Sequence, residues 1–300
     1  MPPQSPEKTC KRTEPPFRAA VCQFRVGASK QDNLARAREF IRGAAGEGAR
    51  LVVLPEMFVC PYEAGLFPEY AESSPGGQAV EMLSRAAREE GVYIVGGSIP
   101  EREGERLYNS SFVFDPAGKM LACHRKVYLF DVDLPGGLSF RESATLTPGR
   151  GATVVQTPLG RLGVAVCFDI RFPALFHEMV QRGAEIIVVP AAFNMITGPA
   201  HWELLLRTRA VDNQVYMIGA APARNVNASY VAFGHSTVVN PWGEVLARAG
   251  PAEEIIVAEI DLQYLKRVRE QLPVVKQMQD RNSTGRKKAF APAPGNNPLA

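Results

Sequence analysis

Along the chain, short apolar runs alternate with longer segments whose apolar residues recur every three or four positions. Nine runs predict strands: Arg18–Phe24, Leu51–Leu54, Tyr93–Gly97, Ser110–Phe114, Leu162–Cys167, Ile186–Val189, Gln214–Ala220, His235–Val239 and Glu254–Ile260. Five amphipathic segments predict helices: Asn33–Ala45, Ala79–Glu90, Pro173–Gln181, Ala200–Asp212 and Leu262–Gln271. Leu51–Leu54 and Ile186–Val189 are continuous aliphatic runs, as expected of strands buried on both faces by helices. The alternation predicts an α/β layered fold. Thr237–Val239 and Val245–Ala247, joined by Asn240-Pro-Trp-Gly243, read as a hairpin, so the sheet should be mixed. Ala49–Phe58 and Ala184–Phe193 repeat one pattern, Ala-x-four aliphatics-Pro-x-x-Phe. Two readings of that echo stay open: a chance likeness of strand ends, or two equivalent half-sheets meeting near one site.

Composition narrows the class. The 300 residues are 46% hydrophobic and 22% charged, an ordinary globular balance, and the net charge of +3 is too small for a nucleic-acid surface. No stretch approaches the roughly 18 apolar residues of a membrane helix. Residues 1–16 are polar and Pro-rich without the apolar core of a secretory signal, and residues 282–300 turn Pro-, Ala- and Asn-rich. Both ends are expected to be flexible tails around one domain over 17–281. Five scattered cysteines, never spaced CxxC, argue against a disulfide framework or a zinc site and for a cytoplasmic chain with reduced thiols. No HxH, HExxH or carboxylate cluster suggests a metal. The Gly-Gly pairs at 76–77, 96–97 and 136–137 match neither the dinucleotide nor the phosphate-loop fingerprint, so no cofactor is expected.

The candidate chemistry sits where strands end. Cys167 follows the apolar run Leu162–Val166 and precedes Phe168-Asp-Ile-Arg-Phe-Pro173, at an expected strand-to-helix junction whose N–H groups would favour a thiolate. A buried structural thiol is the competing reading. Glu56, just past a buried strand and Pro55, lies where α/β folds place ligands, and burial would tune it toward a general base. It could equally be an exposed loop acid. Lys126, in a polar triplet inside the apolar run around His124–Asp131, could stabilise an oxyanion or be a solvated strand-end lysine. Glu142 could keep that lysine charged. A Cys–His pairing has little support: His177 lies about three turns along the helix after Cys167, and neither His201 nor His235 has a favourable spacing.

Together, Leu54-Pro-Glu-Met-Phe58, His124-Arg-Lys-Val-Tyr-Leu-Phe-Asp131 and Val166-Cys-Phe-Asp-Ile-Arg-Phe-Pro173, in that order, resemble the three signature segments of the nitrilase (carbon–nitrogen hydrolase) superfamily. The resemblance runs from about Phe17 to about Gln277. Within it, the chain is most similar to the omega-amidase branch, through Pro61-Tyr62, Phe67–Glu72, Phe193–Glu203, Asp212–Tyr216 and Gly234–Glu244. The resemblance implies an αββα sandwich of mixed sheets, a homodimer, and hydrolysis of the terminal amide of short dicarboxylic 2-oxo acid monoamides through a cysteine thioester. It implies Glu56 as base, Lys126 as oxyanion cation, Cys167 as nucleophile and Glu142 as the glutamate that orients the lysine. Arg171, Phe193 and Thr197 become the implied substrate contacts, with Tyr62 beside them and the Phe168 N–H as a second oxyanion donor. An arginine fork suits a substrate carboxylate. Three alternatives stay open: a deaminated-glutathione amidase, a carbamoyl-amide hydrolase, and a non-catalytic scaffold of the same fold.

Overall fold

The computed structural model describes residues 15–134 and 138–283. Almost all of both expected tails, with Cys10 and the Gly136–Gly137 pair, lies outside the described residues.

Strands buried along nearly their whole length build two sheets that share one core. The first has eight strands. Its path runs Glu254–Ile260, Phe17–Gln23, Ala49–Val53, Tyr93–Val95, Arg106–Phe114, Ile99–Glu103 and Glu72–Ser73, and Met120–Arg125 pairs with Arg106–Phe114. The second has six: Thr153–Thr157, Gly160–Val164, Ile186–Pro190, Tyr216–Ala220, Thr237–Val239 and Val245–Arg248. Each mixes parallel and antiparallel pairs, and Thr237–Val239 with Val245–Arg248 forms the expected antiparallel hairpin.

Alternate side chains decide what each face meets. Ala19, Val21, Leu51 and Val53 of the first sheet pack against Leu162, Val164, Ile186 and Val188 of the second. The opposite face of the first sheet, including Ala20, Cys22, Val52 and Leu54, receives Leu34, Ala37 and Ile41 of helix Lys30–Gly46 and Leu83 of helix Gln78–Glu90. The outer face of the second, including Ile187, Val189 and Met217, receives Phe176 and Met179 of helix Pro173–Gln181 and Trp202 and Leu206 of helix Thr197–Asn213. The result is the αββα sandwich. The aliphatic runs are thus covered by a helix on one face and by the other sheet on the second, where two helix layers were expected.

The echo resolves as two equivalent half-sheets. Ala49–Val53 and Ile186–Pro190 are interior strands of different sheets, and both run parallel to their neighbours on each side. Their carboxyl ends open toward one place, the position where open α/β sheets collect ligands.

Candidate active site

Glu56 leaves the first sheet on a turn pinned from the next strand. Ser98 N donates to Pro55 O at 3.2 Å, Met57 N to Ser98 Oγ at 3.0 Å and Phe58 N to Ser98 O at 3.2 Å. Gly97 permits this approach: its φ is +56°, and a Cβ there would lie 2.0 Å from Pro55 O. Lys126 is held by its own backbone, donating to Asn109 O and accepting from Gly149 N, both at 2.8 Å. A Cβ on Gly149 would come 2.0 Å from Arg125 O. A two-stranded ribbon, Asp131–Leu134 with Leu138–Arg141, then returns the chain so that Glu142 meets Lys126 again.

These turns bring the predicted residues into one buried row. Lys126 Nζ lies 3.0 Å from Glu56 Oε1 and 2.9 Å from Glu142 Oε2, all three side chains being inaccessible to solvent. Asn109 Nδ2 donates to Glu56 Oε1 at 2.8 Å, and Phe130 N to Glu142 Oε2 at 2.7 Å. Glu56 Oε2 is buried and has no hydrogen-bond partner among the described residues, and the charge of this carboxylate raises the pKa of the Cys167 thiol.

Cys167 stands at φ +46°, a left-handed conformation costing about 1–2 kcal/mol for a residue with a Cβ. It occupies a single tight turn, Cys167–Arg171, and the helix expected to start there begins at Pro173. Proline fixes the start of the regular helix six residues beyond the thiol. The electrostatics agree. Burial pushes the Cys167 thiol well above its ordinary pKa, the Glu56 carboxylate pushes the same way, and Lys126 pulls against them. Burial and Glu56 both favour the protonated thiol. Burial also raises Glu56, against the pull of Lys126. Burial disfavours the Lys126 ammonium, but Glu142 and Glu56 outweigh it and hold its pKa well above the ordinary value.

A small cavity touches Cys167. Phe168, Arg171, Phe193 and Thr197, all singled out from the sequence, line it, as do Phe130, Ala192 and Tyr230. Arg171 is half-buried, and burial lowers its pKa. Its guanidinium lies 5.1 Å from the Phe193 ring centre, and Nη1 is 3.3 Å from His201 Nδ1. No carboxylate among the described residues pairs with it. Thr197 opens its helix, its N–H and hydroxyl both directed at Asn194 Oδ1.

Tyr62 is placed differently from the other implied substrate contacts. Its hydroxyl donates to Glu142 Oε1 at 2.9 Å and lies 3.4 Å from both Glu56 Oε1 and Lys126 Nζ, in the charged row. Sequence reasoning missed Asn109, Ala192 and Tyr230. Asn109 had a faint signal, a polar residue inside the apolar run from Leu107 to Phe114. The other two are brought in by tertiary packing alone. Tyr230 donates to Ala192 O at 2.6 Å, and a larger cavity on its other side reaches Glu56 and Ala192. Among the described residues, no group of three His, Cys, Asp or Glu could hold a metal ion.

The chain matches the carbon–nitrogen hydrolase family over residues 18–270. It is 54% identical to omega-amidase NIT2 of Danio rerio and 53% identical to omega-amidase NIT2 of Homo sapiens. Each match spans 261 residues, 87% of this chain and 94% of the relative. Among solved structures it resembles Nit3 of Saccharomyces cerevisiae, a member of branch 10 of the nitrilase superfamily, with a TM-score of 0.82 and 40% identity, covering 89% of this chain and 98% of that one.

Proposed function

The chain belongs to the carbon–nitrogen hydrolase family and hydrolyses amides, and from that premise we propose an omega-amidase whose nucleophile is Cys167, base Glu56 and oxyanion cation Lys126. The observation that carries the reading is the buried thiol–carboxylate–ammonium row opening into a cavity whose cation, Arg171, has no carboxylate partner among the described residues.

The substrate carboxylate pairs with Arg171, its short chain lies along Phe193 beside Thr197, and the terminal amide reaches Cys167. Glu56 takes the thiol proton as sulfur attacks the amide carbon. The resulting oxyanion is held by Lys126 Nζ and the Phe168 N–H. Glu56 returns the proton to the leaving nitrogen, the C–N bond breaks and ammonia departs. A water then gives a proton to Glu56 and attacks the thioester, and the thiolate leaves and is reprotonated by Glu56. One carboxylate serves both halves because it ends each half in the form the next requires. Glu142 keeps Lys126 cationic throughout.

Ammonia release from 2-oxoglutaramate, 2-oxosuccinamate, succinamate, glutamine, a carbamoyl amide and deaminated glutathione tests this reading. Turnover of the keto-acid monoamides, abolished by Cys167→Ala, is expected. The larger cavity beyond Tyr230 favours one second reading, a longer acyl chain, and turnover of deaminated glutathione alone would select it.

The proposal extends to a homodimer in the cytoplasm. Apolar side chains exposed on and beside helix Thr197–Asn213 support the first, and the unpaired Cys22, Cys60, Cys123 and Cys167 support the second.

A further inference from the structure

One fully buried acid lies beside the thiol and takes no part in the chemistry above. Asp169 has no exposed surface, yet its two carboxylate oxygens accept from three backbone amides on two separate segments. Oδ1 accepts from Val127 N at 3.1 Å and Tyr128 N at 2.8 Å, the two residues after Lys126. Oδ2 accepts from Val166 N at 2.9 Å, the residue before Cys167. The fourth contact is His124 Nε2, 3.1 Å from Oδ2, and His124 is itself held by Thr153 Oγ1 at 3.0 Å from Nδ1. His124 is buried as well and sits two residues before Lys126.

One carboxylate therefore ties the chain on both sides of Lys126 to the turn that presents Cys167. The turn needs such an anchor. It holds Cys167 at φ +46°, and no regular helix follows until Pro173. The lysine strand belongs to the first sheet and the thiol turn follows the second, so their spacing crosses the seam between sheets. Four contacts to one rigid, two-atom acceptor fix that spacing more tightly than apolar packing, which tolerates small slips.

We infer that Asp169 is a positioning residue for the reaction: it locks Cys167 and Lys126 into one register across the sheet seam, and His124 sets the carboxylate's orientation. The inference rests on the assignment of Cys167 and Lys126 made above. An amide in place of the carboxylate keeps the shape but turns an N–H₂ toward one set of donors, so one segment comes loose.

The experiment compares Asp169→Asn, His124→Gln and Cys167→Ala with wild type, measuring kcat and KM for 2-oxoglutaramate, the rate of Cys167 alkylation by iodoacetamide, and Tm. Asp169→Asn should lower kcat by roughly 10²-fold, the scale of an ångström-sized misplacement. KM should change less than kcat, because Phe193 lies outside the anchored turn and only Arg171, at its end, belongs to it, and the alkylation rate should change with kcat. His124→Gln, which leaves the three amide contacts in place, should fold and show a smaller loss of the same kind. Lower Tm with unchanged kcat and unchanged alkylation in His124→Gln and in any folded Asp169→Asn would overturn the inference and leave the nucleophile standing. Full turnover by Cys167→Ala would instead overturn the assignment beneath it.

Discussion

At the scale of single residues, the site is an unbalanced charge cluster. Two buried carboxylates flank one buried ammonium, and Glu56 carries the surplus negative charge. Its raised pKa means that folding disfavours its ionised form. The sign follows from linkage: a carboxylate raised in the folded state contributes most below its unfolded value of about 4.3, and that contribution is lost as pH rises through the folded value. Glu56→Gln should therefore abolish turnover while leaving Tm unchanged or higher, and its Tm advantage over wild type should widen from about pH 4 toward neutrality. Thermal melts across that range, beside ammonia assays, check both halves. Lys126→Met behaves oppositely. It strands two carboxylates, and breaking a buried pair in this way costs about 3–5 kcal/mol, readable as a lower midpoint in urea. The same reasoning fixes the pH profile. Because Glu56 must be ionised to take the thiol proton, the acid limb of kcat/KM should lie above the ordinary glutamate range.

At the scale of elements, the site depends on turns that only glycine permits, and these are testable one by one. Gly97→Ala should destabilise by about 2 kcal/mol or more, because the left-handed backbone and the contact with Pro55 O add together. It should also reduce kcat, since Pro55 can yield only by moving Glu56. Gly104→Ala is the control. Its φ is +59° but nothing lies within 4 Å of the added carbon, so about 1 kcal/mol of strain should appear in urea melts with full activity. Elements were legible in the sequence where burial enforced a period. Pro173–Gln181, Glu254–Ile260 and Leu262–Gln271 end where the pattern placed them. Others left weaker traces. Met120–Arg125 and Thr153–Thr157 are only partly buried, so their alternation is blurred. His235 was expected to open a strand and instead stands at φ +58°, with the strand starting at Thr237. Helix Val274–Ser283 follows Pro273 and carries too few apolar residues to announce itself. Glu56 and Cys167 stood out because each follows an apolar run, Lys126 because a polar triplet interrupts one, and Glu142 only as an acid that could keep the lysine charged. Ala192 and Tyr230 contribute a carbonyl and a ring from distant segments with no local pattern to mark them, and Asn109 left only the faint trace of a polar residue in an apolar run.

At the scale of the molecule, the two helix layers are not equivalent. Helix Lys30–Gly46 turns polar side chains outward, whereas Thr197–Asn213 leaves Leu204 62% and Val211 46% exposed, seven residues apart on one face. Ile196, Trp242 and Leu272 are exposed beside them, and Val211 reaches the Asn240-Pro-Trp-Gly243 turn. Scattered exposed apolar residues are ordinary, and this concentration over one helix is the observation behind the proposed homodimer. A second copy of the chain is the occupant that the charge pattern favours. Glu203 pairs with Arg207 on the same helix and with Arg248, so the rim carries both signs, as a proposed two-fold contact requires. The same helix begins at Thr197 in the substrate cavity, so covering its face also steadies one wall of the site. Light scattering of the intact chain should give twice the monomer mass. Leu204→Glu with Val211→Glu should halve that mass, leave circular dichroism unchanged and weaken turnover mainly through KM. A monomeric wild type with full activity would show instead that each sandwich works alone and that this face serves another partner.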